Sequence, residues 1–263
     1  MPPTIQNVLD TILAAVPAEP LSDTVDVVKT GDPSQEVTGI VTTFLATIQV
    51  IEQAALLGAN LIIAHEPVFY NHLDQTDWLR RDAVYTAKRR LLDEHHIVVW
   101  RFHDYWHKHQ PDGILTGVLL QLGWQTYLDP DKPYLCNIPP VTLRNLALML
   151  KEKFYAAQIR LIGNPDMVCW HVALLPGQAG GASQIEMIGQ PGVDVLVCGE
   201  VAEWETTEYT RDAVHMGLAK ALIVVGHANS EESGMLYLVD WLKPLLPDIP
   251  ITHIPANDPF SWL

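Results

Sequence analysis

"GIVTTFLATIQVIEQAALLGANLIIAHEPVF", residues 39–69, sets two short apolar runs on either side of a segment of helical period. A strand over 39–47, a helix continuing to about Gly58 and a second strand over 60–64 give the strand–helix–strand order of an α/β protein. The second strand runs straight into His65 and Glu66, and Pro67 then blocks any helix that would have carried them.

Working outward, the same alternation continues. Further strands are predicted at 97–102, 134–138, 158–162, 168–175, 194–198, 221–226 and 251–254, with helices filling much of the space between. Near the N-terminus, residues 4–16 place Ile5, Val8, Leu9, Ile12 and Leu13 on one helical face. A helix over 77–94 carries Arg80, Arg81, Lys88, Arg89 and Arg90, either a solvated face pairing with acidic neighbours or a subunit contact or anion-binding rim. The proline-rich "LDPDKPYLCNIPP", residues 128–140, is the candidate boundary between an N-terminal lobe, 1–128, and a C-terminal lobe, 129–263.

At 263 residues the chain is long enough to bury a sizeable core, and with 48% hydrophobic and 18% charged residues it has the composition of a folded globular protein. A formal net charge of −15 opposes nucleic acid and anionic membrane surfaces as partners, since both reward basic side chains. Cys136, Cys169 and Cys198 are dispersed without a CxxC pair, which argues against a zinc ribbon or a disulfide framework and fits a reducing cytoplasm. The N-terminal stretch lacks a basic region and a long apolar run, so neither a signal peptide nor a membrane span is expected.

The chemistry collects just past predicted strands. His65 and Glu66 follow "LIIA", His103, His107 and His109 follow "IVVWRF", Glu200 and Glu203 follow "VDVLVC", and His227 and Glu231 follow "ALIVV". Ligands of open α/β sheets gather outside the carboxyl ends of strands, so groups from distant segments can meet there. A lone histidine in such a place is ordinarily structural; four such strand ends in one chain are harder to read that way. Mixed imidazole and carboxylate donors suit zinc, manganese, iron or cobalt. His103 with His107, and His227 with Glu231, stand at i and i+4 and share a face wherever the loop opens into a helical turn. "HEPVF" is not a zincin motif, because its fifth residue is Phe69.

In this order "IIAHEPVF", "FHDYWH" leading to "QLGW", "GEVAEWE" and "VVGHANSEESGM" resemble the NIF-three-like family, whose members carry the name GTP cyclohydrolase 1 type 2 homolog. The resemblance spans about residues 37–243. It implies two interlinked α/β/α lobes with mixed sheets, a dinuclear metal centre in the cleft between them, and a homo-oligomer in the form of a hexameric ring. Carried over by motif, the metal ligands are His65, Glu66, His103, His107, His227 and Glu231, with Glu66 where the family has a second histidine and His107 where it has an aspartate. The two exchanges preserve the number of carboxylates and imidazoles, which is read as retention of the site. Glu203 is a candidate proton carrier, or an ordinary helix-start carboxylate.

The expected function is therefore that of a metal-dependent hydrolase, in which two divalent transition-metal ions, zinc, iron or manganese, about 3.5 to 4 Å apart activate a bridging water. A nucleotide substrate rests on the family name alone, since the chain has neither GxxxxGK[ST] nor GxGxxG. The alternative is a metal-binding assembly or regulatory protein without turnover.

Overall fold

The computed structural model describes residues 2–263. In the first stretch the elements are α1 (Ile5–Ala15), β1 (Val28–Thr30), β2 (Ile40–Thr43), α2 (Ile48–Leu56), β3 (Leu61–Ala64), α3 (Ala83–Glu94), β4 (Val98–Arg101), α4 (Asp104–Lys108) and α5 (Gly113–Leu122). There follow β5 (Leu135–Thr142), α6 (Leu143–Lys153), β6 (Arg160–Ile162), β7 (Val168–Leu175), α7 (Gly181–Gly189), β8 (Val195–Cys198), α8 (Glu208–His215), β9 (Ala221–Val224), α9 (His227–Leu242) and β10 (Ile251–His253).

The strands form two five-stranded mixed sheets, ordered β1-β4-β3-β2-β10 and β5-β7-β8-β9-β6. In the first, β10, β2, β3 and β4 are parallel and only β1 runs against its neighbour. In the second, β7, β8 and β9 are parallel between the antiparallel edges β5 and β6. Strands β2, β3, β4, β8 and β9 are buried along their whole length, as parallel strands covered on both faces must be. That double burial is why they read in the sequence as continuous apolar runs.

Each sheet is the middle layer of an α/β/α sandwich. Ile40, Leu61, Ile63, Val98 and Trp100 pack with the apolar stripe of α1 and with Met235, Leu238 and Leu242 of α9. On the other face Val41, Ile62 and Val99 pack with Val50, Ile51 and Ala54 of α2 and Leu92 of α3. In the second sheet Val172, Leu174, Val195, Val197 and Ile223 face α5 and α6, while Ala173, Leu196, Cys198 and Leu222 pack with Ile188 of α7. Each fully buried aliphatic side chain contributes about 1.5–3 kcal/mol relative to exposure. Helix starts follow local chemistry: Thr4, Thr47 and Thr142 accept backbone N–H bonds from Asn7, Val50 and Asn145 at the heads of α1, α2 and α6.

The chain divides into two compact units, Met1–Ile114 with Gly234–Ala256, and Leu115–Ser233 with Asn257–Leu263. The boundary expected at 128/129 falls inside the second unit; the chain changes unit within α5 and again within α9. Proline marks a turn in the segment 128–140, but long-range packing decides where a unit ends. The predicted helix over 77–94 is also interrupted, with a short 3₁₀ turn at Asp77–Leu79 before Asp82 caps α3 through Tyr85 N. Arg80, Arg89 and Arg90 pair with Asp77, Asp93 and Glu94 on the same segment, whereas Lys88 is buried and donates to Val68 O at 2.6 Å. Burial pushes the Lys88 amine down to about 8. Among the described residues no helix is long and apolar enough to cross a membrane.

Trp106 of α4 anchors the site-bearing end of the first unit. Its buried ring packs on Tyr237 and Trp241, and its Nε1 donates to Gly234 O at 3.3 Å. Gly113 leaves room for that ring, since a Cβ there would lie 2.1 Å from Trp106 Cε2. Substituting Gly113→Ala is expected to destabilise the chain by roughly 1–3 kcal/mol through overpacking. Urea denaturation followed by tryptophan fluorescence measures it, and an unchanged midpoint would show that the indole is not held in place.

Candidate metal site

Strands β3 and β4 pair in parallel with Ala64 opposite Arg101. The residues that leave their carboxyl ends therefore emerge side by side, and the ring centroids of His65 and His103 are 4.5 Å apart and stacked. His103 caps α4, and one turn later His107 brings its ring to 4.9 Å from His103 and 5.0 Å from His65. One ligand nitrogen from each of the three lies within 4.8 Å of the others, within reach of a single ion.

All three imidazoles are oriented by an oxygen at Nδ1. His65 faces Phe102 O at 3.3 Å, His103 faces Asp104 Oδ1 at 2.9 Å and His107 faces Asp112 Oδ2 at 3.0 Å. Carbonyl and carboxylate oxygens accept, so Nδ1 carries the proton in each ring and Nε2 is the nitrogen with a lone pair to offer. Metal-binding histidines are held in this way. Burial, with the nearby His103 and His107, holds the His65 pKa well below the usual imidazole value, and burial lowers His103 too. Both rings are thereby kept in the neutral form that binds metal. The donor set fits a transition-metal ion in its chemistry and orientation.

The support beneath these rings was not evident in the sequence. Asp26, buried and distant in the chain, accepts the backbone N–H groups of His103, Asp104 and Tyr105 at 2.8, 2.9 and 2.8 Å. It serves as the anionic cap of α4, where the N-terminal N–H groups favour negative charge. Asp104 in turn accepts Thr24 Oγ1 and Val25 N, so the 24–26 segment and the head of α4 are tied both ways. Glu66 is engaged by Arg101, whose Nη2 donates to Oε2 at 3.3 Å, and its Oε1 stands 3.7 Å from His103 Nε2. The one sequence signal for Arg101 is a charged residue ending an otherwise apolar strand.

In the second unit the same construction recurs. Leu175, Cys198 and Val224 are in register across β7, β8 and β9, so their following loops emerge together. His227 opens α9, its Nδ1 facing Glu200 Oε2 at 3.0 Å and its Nε2 3.3 Å from Glu231 Oε2. The hydrogen bond with His227 lowers the Glu200 pKa. Gly177 makes space beside them: its φ is +65°, and a Cβ there would lie 2.0 Å from Glu231 Oε1. Glu203 is placed otherwise, exposed and accepting from Arg160 Nη1 at 2.9 Å in the π-helical turn Glu203–Thr207. Of Glu200 and Glu203, it is Glu200 that touches His227. His109 lies away from the three-histidine group in role, packed on Trp106 and Trp241 with Nδ1 facing Pro111 O.

A mixed α/β chain whose parallel strands end in a histidine and glutamate group able to hold a metal ion is the class that fold and site define. The profile of Duf34/NIF3 (NGG1p interacting factor 3) matches residues 4–259, and the chain belongs to that family. A Chlamydia pneumoniae relative named "GTP cyclohydrolase 1 type 2 homolog" is 25% identical over 243 residues, 88% of each chain. Among solved structures, a Bacillus cereus protein related to NIF3 superposes with a TM-score of 0.80 at 16% identity, covering 100% of both chains. The Staphylococcus aureus protein SA1388 superposes with a TM-score of 0.78 at 19% identity, again over 100% of both. Both structural likenesses establish the fold.

The lowered His65 and His103 values carry a pH consequence for the metal-free chain. Below the unfolded histidine pKa of about 6.5 the unfolded chain takes up protons that the folded chain refuses, so stability falls with falling pH until the folded values are reached. Chelator-treated protein is expected to have a lower urea midpoint at pH 5.5 than at pH 7.5, and His65→Gln a smaller difference. Equal pH responses of the two chains would overturn the assignment to His65.

Proposed function

We propose that this chain is a metal-dependent hydrolase that holds two divalent transition-metal ions, with its donors drawn from His65, Glu66, His103, His107, His227 and Glu231. The reading is carried by one observation: His65, His103, His107 and His227 each have Nδ1 set against an oxygen, which fixes the heading of the ring and turns Nε2 toward the other candidate donors. His109 has the same kind of contact at Nδ1 but packs on Trp106 and Trp241, whereas His65, His103 and His107 bring ligand nitrogens within 4.8 Å of one another, and that convergence supports a metal site.

Two ions bound there supply the water activation and electrophilic polarisation of a two-metal hydrolase. The residues of this chain do the rest. Asp104, Asp112 and Glu200 fix the tautomer and heading of His103, His107 and His227. Burial keeps His65 and His103 unprotonated at neutral pH. Glu200, in contact with a ligand, is better placed than Glu203 to exchange a proton with the site. The name of the curated relatives supports a purine nucleotide as the substrate class and the family resemblance supports a hexameric ring.

The test is metal content per chain, by inductively coupled plasma mass spectrometry, on protein purified without tag or chelator. About two equivalents of a transition metal are expected, lost or halved in His65→Ala, Glu231→Gln and Gly177→Ala and retained in His109→Ala. A wild-type chain that holds no metal and takes up neither zinc, manganese nor iron would overturn the proposal. Full metal content without turnover on nucleotides or phosphate esters, together with dissociation by chelator, would assign the ions to assembly instead.

A further inference from the structure

The loop that leaves β3 returns to its own start. Arg101, buried at the end of β4, donates Nε to His65 O at 3.0 Å and Nη1 to His72 O at 2.5 Å, so one guanidinium holds both ends of residues 65–72. The neighbours of Tyr70 inside that loop are tied down as well. Lys88 Nζ donates to Val68 O at 2.6 Å, Asp74 Oδ1 accepts Phe69 N at 2.6 Å, and Asn71 donates Nδ2 to Phe69 O and Gln75 O while accepting Gln75 N. Asp74 also pairs with Lys29 of β1 at 3.5 Å.

What this bracing presents is one aromatic ring. Tyr70 has a φ of +66°, a left-handed backbone that a bulky side chain adopts only where its surroundings impose it, yet the residue is 52% exposed. Phe69 beside it is buried, so burial of apolar surface accounts for Phe69 and not for Tyr70. The Lys88 amine stands over the Tyr70 ring, 5.3 Å from its centroid, in a cation–π contact. Although burial lowers that amine to about 8, it still carries its proton at neutral pH. The ring is thus held by a cation on one face, and the cation draws electron density from it. An electron-rich flat ring is the partner that suits the other face.

Position adds the rest. Tyr70 is two residues from His72, a span of at most about 7 Å, so it stands beside the guanidinium that also bonds His65 O and Glu66 Oε2. A phosphorylated substrate whose anionic end reaches the metal group still has its ring to place, and a rigid exposed aromatic is the usual seat for one.

We propose that Tyr70 is the stacking platform of the site, and that its ligand is a phosphorylated compound carrying an electron-rich heteroaromatic ring, a purine nucleotide by class. The inference rests on the hydrolase reading above and deepens it, naming the residue that selects a ring-bearing substrate over a bare phosphate ester.

The experiment compares guanosine monophosphate with ribose 5-phosphate, which lacks the base, by isothermal titration calorimetry on the metal-loaded full chain. The wild type is expected to bind the nucleotide at least about tenfold more tightly, and Tyr70→Ala to lose roughly tenfold to a hundredfold for the nucleotide, as for one stacked base, with ribose 5-phosphate unchanged. Tyr70→Phe keeps the ring and is expected to stay within about threefold of the wild type. Tyr70→Gly relaxes the left-handed backbone, so its urea midpoint and metal content are expected to be at least those of the wild type while nucleotide binding falls as in Tyr70→Ala. That variant separates loss of the ring from a distorted loop. Unchanged nucleotide affinity in Tyr70→Ala and Tyr70→Gly, or equal losses for both probes, overturns the platform. A shift of oligomeric state in both variants by sedimentation velocity also overturns it, assigning the ring to a contact between copies. A metal-bearing wild type that binds the two probes equally overturns the platform and leaves the metal-binding reading intact. A wild type without metal overturns that reading, while the Tyr70 comparison still decides the stack.

Discussion

The register between β3 and β4 is the constraint on which the site depends. With Ala64 opposite Arg101 in a parallel pair, the next residues of the two strands have no choice but to leave the sheet together. A slip of one residue would turn every side chain of a strand to the other face, and the layers on both faces forbid it. His65 meets His103, and Arg101 meets the loop that follows His65, because the ladder holds them there. The histidines themselves do little to fix their own positions.

A second layer of control lies in oxygen atoms that never need to touch a ligand. Phe102 O, Asp104, Asp112 and Glu200 each choose a ring nitrogen, and Asp26 fixes the helix head that carries two of the rings. These contacts turn flexible imidazoles into donors of defined direction. The second unit repeats the plan with different residues: three parallel strands in register, a glycine where a carboxylate needs room, and a helix that begins on its histidine.

Much of this was legible in the chain. Buried parallel strands announce themselves as short apolar runs, so all the strands that carry the site could be placed, and a histidine ending such a run is conspicuous. What escaped was whatever depends on distant partners. Strand β1 has three residues, an irregular register and no apolar alternation. Asp26 looks like any loop aspartate until three backbone N–H groups converge on it. Glu200 and Glu203 are three residues apart in one segment, and only the fold sends one to His227 and the other to Arg160. Arg101 likewise reads only as a charge closing an apolar strand until its bonds to His65 O, His72 O and Glu66 are seen.

The first sheet takes its edge strand β10 from residues 251–253, and its core takes Met235, Leu238 and Leu242 from α9. Every strand of the second sheet lies between those residues and β4 in the chain. On a ribosome, therefore, the second sheet is fully synthesised before the first has all its strands. Until Ile251 pairs with Ile40, the edge of β2 presents unpaired backbone groups, the kind of edge that recruits foreign strands. The first sheet is completed only after every strand of the second has been made, and in that interval its open edge must be kept from other chains.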